Sequence, residues 1–114
     1  MKYNMDEWLQ RQLEDEKKKA LPILSFPGTQ LIGRNVEELV NDGHLQALCM
    51  KAIADSFSTG AAFSLMDLSV EAEAFGAKVL YSSDEVPTMH GAMIEDEDQA
   101  DALQVPKVGA GRTG

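Results

Sequence analysis

The 114-residue sequence carries nineteen acidic and ten basic residues, a formal net charge of -9, with 44% apolar and 25% charged residues. That composition suits one folded domain rather than a disordered chain, and its negative field repels nucleic-acid phosphates and anionic membrane surfaces. Cys49 is the single cysteine, so no internal disulfide is possible. Met1 leads into polar residues without an apolar signal region, and no apolar run approaches the ~20 residues of a bilayer span. The cytoplasm is therefore the expected compartment.

Residues Asn4 to Lys19 read as an amphipathic helix with Trp8, Leu9 and Leu13 as an apolar stripe, acids early and Lys17-Lys18-Lys19 late, ended by Pro22. Ile23-Leu24-Ser25-Phe26 is short and apolar, and Pro27-Gly28 follows it, the pattern of a buried strand entering a turn. Asn35 is placed to cap a short helix through Val36, Leu39 and Val40, which Asp42-Gly43 interrupts. A second helix then carries Leu45, Leu48, Cys49, Ala52, Ile53 and Phe57 on one face, with Gly60 as its terminator.

Ala61 to Met66 has the length and apolarity of a second buried strand, and Asp67-Leu68-Ser69 turns it into a helical stretch from Val70 to Phe75 that Gly76 closes. Ala77 to Tyr81 alternates as a further strand. The chain then reads as a polar turn, a weak strand or loop from Met89 to Ile94, an acidic helix from Glu95 to Leu103, and a loop with three glycines from Val105 to Gly114. Helix and strand alternate throughout, which is the order of α/β proteins with largely parallel sheets.

Few residues present themselves for chemistry. Asp67 is the leading candidate, a carboxylate at the C-terminal end of an expected strand; the simpler reading is that Asp67 or Ser69 caps the following helix. Cys49 lies on the apolar face of its helix and reads as a small core residue. His44 and His90 have no ligand partner at a recognised spacing, so no metal site is expected within the chain. Glu71 and Glu73 diverge around a helix and make poor acid/base partners, and the tail Gly109 to Gly114 lacks the Gly-Lys-Ser/Thr ending of a phosphate loop.

The run Phe63-Ser64-Leu65-Met66-Asp67-Leu68-Ser69-Val70-Glu71-Ala72-Glu73-Ala74-Phe75-Gly76-Ala77-Lys78-Val79 resembles the uroporphyrinogen decarboxylase superfamily, where an apolar strand ends in aspartate and a short helix leads to an Ala-Leu-Gly or Ala-Phe-Gly corner. Met66-Asp67-Leu68-Ser69-Val70-Glu71-Ala72-Glu73-Ala74-Phe75-Gly76 looks nearest its methylcobamide:coenzyme M methyltransferases. The resemblance implies a TIM barrel, (β/α)8, of about 250 residues or more. Residues 1–20 would then be a leading helix and 21–114 the start of that α/β barrel, roughly its opening third.

In the decarboxylases the aspartate matching Asp67 contacts pyrrole nitrogens. Those enzymes also carry an Arg-Gln-Ala-Gly-Arg motif for substrate carboxylates, whereas the stretch here is Ser25-Phe26-Pro27-Gly28-Thr29, which cannot supply that charge. The resemblance therefore implies corrinoid-dependent methyl transfer to a thiol, with zinc and corrinoid belonging to the full-length family and neither bound by this chain, and with a corrinoid protein as partner. Porphyrinogen decarboxylation is the weakest alternative. A second reading makes the isolated chain an inactive α/β fragment that forms homo-oligomers through uncovered edges or binds a partner.

Overall fold

Asn4 starts the first helix for a local reason: its side-chain oxygen accepts hydrogen bonds from the N–H groups of Asp6 and Glu7, at 3.1 and 3.4 Å, filling donors that a helix start leaves free. The computed structural model, which describes residues 3–114, places α1 at Met5–Glu14. Met1 and Lys2, at the head of the expected leading helix, lie outside the described residues. The helix ends well before Lys19 and Pro22. The Asp15 carboxylate accepts from Lys17 N–H at 2.9 Å, and Lys18 Nζ donates to the Leu13 carbonyl at 2.7 Å, so local polar side chains stop α1 before proline can.

The next apolar segment departs from expectation. Ile23 to Phe26 joins no strand ladder; Phe26–Gly28 forms a 3-10 turn and continues into α2, Thr29–Ile32, closed by Gly33 in the left-handed region at φ 63°. Asn35 and Glu38 form a reciprocal capping box at the start of α3, Val36–Val40. Asp42 then caps α4, Gly43–Ser56, accepting from His44 and Leu45 N–H at 2.8 and 3.1 Å.

These helices hold the core. Leu39, Cys49 and Ile53 are buried together, with Leu24, Phe26, Ile32, Leu45 and Leu65 packed around them. The Cys49 thiol donates to the Ser25 carbonyl at 3.3 Å, and burial pushes it up from the usual thiol range. Gly28 makes this contact possible: a Cβ there would sit 2.5 Å from Cys49 Sγ and 2.6 Å from Ile53 Cδ1. On α4 the face is narrower than its periodicity suggests, since Leu48 and Phe57 stay exposed.

Ala61 to Met66, the second expected strand, is also without a ladder. It nevertheless lies beside the first: Gly60 N–H donates to the Ala20 carbonyl at 3.1 Å, and Leu24 and Leu65 both pack on the α4 core. The two segments thus enter the same side of α4 in the same order. This is the outline of a strand–helix–strand unit in which backbone pairing is not made, because a strand exists only where a neighbour presents a complementary row of N–H and C=O groups.

Ser69 leads into α5, Val70–Ala74, and Gly76 at φ 101° reverses the chain after it. Among the described residues the only ladder joins β1, Val79–Leu80, to β2, Thr88–Met89, antiparallel with Val79 opposite Met89. The acidic stretch condenses to α6, Glu97–Asp101, capped by Asp96, which accepts from Gln99 N–H at 2.8 Å. A 3-10 turn at Gly111–Thr113 ends the chain.

A closed barrel and a parallel sheet are therefore not formed. The radius of gyration is 18.1 Å, with extents of 57 × 34 × 23 Å, whereas a compact domain of this length has about 13 Å. Two residues per strand bury no sheet face, so the α2–α4 cluster rather than a sheet organises the fold. No helix among the described residues is long and apolar enough to cross a membrane.

Candidate functional site

Asp67 stands between the second apolar segment and α5, and the turn it makes is set by its own side chain. Asp67 Oδ1 accepts from Ser69 N–H at 2.9 Å and from the Ser69 hydroxyl at 2.6 Å, the local pattern by which Asp nucleates a turn. The simpler reading of the sequence is thus partly realised: Asp67 organises the entry to α5. It does not stand at a strand end, because residues 61–67 form no strand.

The other carboxylate oxygen is met from far along the chain. Arg112 Nη1 donates to Asp67 Oδ2, Nη2 to the Ser69 hydroxyl at 2.9 Å, and Nε to Glu73 Oε2 at 2.6 Å. Tyr81 closes the group: its hydroxyl donates to Glu73 Oε1, and the guanidinium lies over its ring, 5.1 Å from the centroid. The side chains of Asp67 and Arg112 are only 5% and 11% exposed. The planar guanidinium fork suits this task because its separate N–H groups can meet two carboxylates and a hydroxyl at once.

Two glycines bring Arg112 there. Gly109 and Gly111 adopt φ of 79° and 57°, turning the tail back onto α5 where a residue with a Cβ would be strained. Burial by itself would raise Asp67 and Glu73. The hydrogen bonds from Ser69 to Asp67 and from Tyr81 to Glu73, together with Arg112 beside both, win and hold both carboxylates below the usual range. Burial and the bond to Glu73 push the Tyr81 phenol up, and the same acids keep Arg112 charged.

A cleft of about 240 Å³ opens beside the network, lined by Val40, Gln46, Leu65, Asp67, Val70, Glu71 and Arg112. Two carboxylates, Asp67 and Glu71, line it against one cation, Arg112, whose Nη1 and Nε are paired with Asp67 and with Glu73 behind the wall. Such a site rejects polyanions and tolerates neutral or cationic groups.

The sequence reading identified Asp67 but passed over its partners. Glu73 was weighed only against Glu71, and Arg112 lay in a tail with no helix after it. Local spacing carries no signal for a contact between residues 45 positions apart. Cys49 is core, as its helical face suggests. His44 and His90 are exposed on separate elements, and among the described residues no three His, Cys, Asp or Glu side chains stand together as a metal's ligand set. These residues therefore do not fit a zinc centre. Ser25 and Thr29, in the stretch that stands in place of the arginine motif, are buried against α4, Thr29 donating to the Phe26 carbonyl at 2.7 Å.

The comparisons with known proteins bear on this arrangement in one respect. No curated protein and no solved structure matches the chain. The family model for uroporphyrinogen decarboxylase (URO-D) matches residues 16–114, which take in the α2–α4 core, Asp67, α5 and the Arg112 tail. The chain belongs to the uroporphyrinogen decarboxylase (URO-D) family.

Proposed function

We propose that the chain supplies Asp67 and its cleft to a methyltransferase of the URO-D superfamily, which moves a methyl group from a corrinoid on a partner protein to a thiol. The supporting observation is the charge balance of the cleft. A porphyrinogen bearing several carboxylates needs free, fixed cations, yet Arg112 is committed to Asp67 and Glu73, and among the described residues no other basic side chain lines the cleft. Ser25 to Thr29 adds none. A methyl group and a thiol require no such cations.

A corrinoid would supply the methyl group, and it belongs to the partner. The residues of this chain do something simpler. Asp67, kept ionised by Ser69 and Arg112, fixes the shape and negative potential of one wall, while Val40, Leu65 and Val70 give the other an apolar surface. A wall of that kind positions a neutral reactant and disfavours a competing polyanion.

The test uses the protein translated from its complete reading frame. Methyl loss from methylcobalamin is followed spectroscopically with a thiol present, and decarboxylation of uroporphyrinogen is followed in parallel. Methyl transfer that falls at least about tenfold in Asp67→Asn, with no decarboxylation, supports the reading. Decarboxylation of the porphyrinogen, or methyl transfer indifferent to Asp67→Asn, overturns it.

A further inference from the structure

From Thr88 to Val105 every residue is exposed, although the stretch is folded and holds β2, the Asp96 cap and α6. Five of its side chains are large and apolar, Met89, Met93, Ile94, Leu103 and Val105, and they are between 37% and 86% exposed. In the hairpin ahead of them Leu80 and Val86 are exposed as well. The base of the hairpin is fixed: the Ser83 carbonyl accepts from Val36 N–H at 2.9 Å, and the Tyr81 hydroxyl donates to Glu73. Its apolar side chains are not covered, since none belongs to the α2–α4 core, and a lone two-stranded ribbon is marginal in water.

Charge decides what can cover it. Between Lys78 and Lys107 the chain has His90, no Lys or Arg, and seven acids, two in the hairpin turn and five from Glu95 to Asp101. Among the described residues none of these acids pairs with a basic side chain. Asp84 accepts from the Ser82 hydroxyl and Asp96 from Gln99 N–H, but neutral donors leave the charge in place. A second copy would set seven acids against seven, and anionic lipid and nucleic acid are repelled in the same way.

We propose that the β1–β2 ribbon and the segment through α6 form a docking surface for a basic amphipathic segment of another protein. Its apolar face lies on Met89, Met93 and Ile94, and its Lys or Arg side chains meet the acids around α6. Methionine is unbranched and polarisable, so Met89 and Met93 adapt to an incoming side chain without a preformed pocket. Acids flank the apolar run, Glu85 four residues before Met89 and Glu95 directly after Ile94, which steers the approach of a basic partner and fixes its orientation. The surface is separate from the Asp67 cleft and shares none of its lining residues.

The probe is a synthetic amphipathic peptide of Leu and Lys at helical spacing, fluorescently labelled and titrated with the whole chain. Binding should weaken at least about tenfold when Met89→Ser and Met93→Ser are combined, and at least about fivefold between low salt and about 0.5 M salt. Glu95→Gln with Glu97→Gln and Asp98→Asn should remove most of that salt dependence. Leu9→Ser, on the exposed side of α1, should leave binding unchanged. Amide shifts on binding should fall on residues 79–101 and spare α4. The docking is overturned if a polylysine peptide of equal charge binds as tightly, or if the paired methionine changes leave the affinity unaltered. It is equally overturned if the same amides shift with phosphatidylcholine vesicles and not with the peptide, which gives the surface to lipid, or with protein concentration alone, which gives it to a second copy.

Discussion

Arg112 and Asp67 lie 45 residues apart and form the ion pair on which the second half of the chain closes. Helix α5 and the tail meet through that pair and through the bond from Arg112 to Glu73. Few apolar contacts assist, since Val105 and Val108 in the tail are exposed. The tail is therefore held by charge and hydrogen bonding rather than by hydrophobic burial, and it should respond to charge removal and to acid.

Removing the cation leaves two carboxylates facing each other in a poorly solvated space. Arg112→Met keeps the length of the side chain but none of its donors, and should cost about 3 kcal/mol. Hydrogen exchange should localise the loss, with amides from Ala110 to Thr113 exchanging at the rate of open chain while those of α4 remain protected. Equal loss of protection across α4 would mean that the pair supports the whole fold.

The acid response follows from the direction of the shifts. Asp67 and Glu73 are held below their ordinary values in the folded protein, so the folded state binds fewer protons than the unfolded one in acid. Their contribution is complete above the unfolded carboxylate range, about pH 4, and is lost as pH falls through the lower folded values. The tail should remain closed at pH 5, begin to weaken near pH 4 and open only as pH falls further through the lower folded values. NMR shifts of the Arg112 and Thr113 amides, followed from pH 7 to pH 2, should show one step at the acidic end, and Arg112→Met should move the carboxylate titrations upward.

Close approach at the core makes a different prediction. Gly28→Ala places a methyl group within 2.6 Å of the Ile53 side chain and closer still to Cys49 Sγ, so α2 and α4 must separate. The cost should be about 1 to 3 kcal/mol by urea unfolding. Gly28→Ala combined with Cys49→Ala should recover part of it, because the second change empties the volume that the first invades.

Cys49 itself should be nearly inert. Its thiol is buried, donates to the Ser25 carbonyl, and is held protonated by burial. A thiol reagent should modify it at least about a hundredfold more slowly than unfolded protein at the same pH. Fast modification would show that the helical cluster opens freely.

Much of the helical part is legible in the chain because its determinants are local. Asn35 caps α3 where the sequence places it, α1 starts beside Asn4 as expected, Asp42 proves to be a cap as well as an interruption, and Leu39, Cys49 and Ile53 fall inside as periodicity requires. Asp67 stands out for the same reason, since an acid at the end of an apolar run has only short-range neighbours to read. The family resemblance, carried by Phe63 to Val79, holds at the level of the URO-D family.

Tertiary structure alone decides the rest. Ile23 to Phe26 and Ala61 to Met66 have the composition of strands, but a strand depends on backbone partners elsewhere, and here the two segments lie side by side on α4 without pairing. Arg112, Glu73 and Tyr81 acquire their roles only when positive-φ glycines fold the tail onto α5. Caps and periodic faces are read within a few residues, whereas ladders and buried ion pairs are fixed by which distant segments meet.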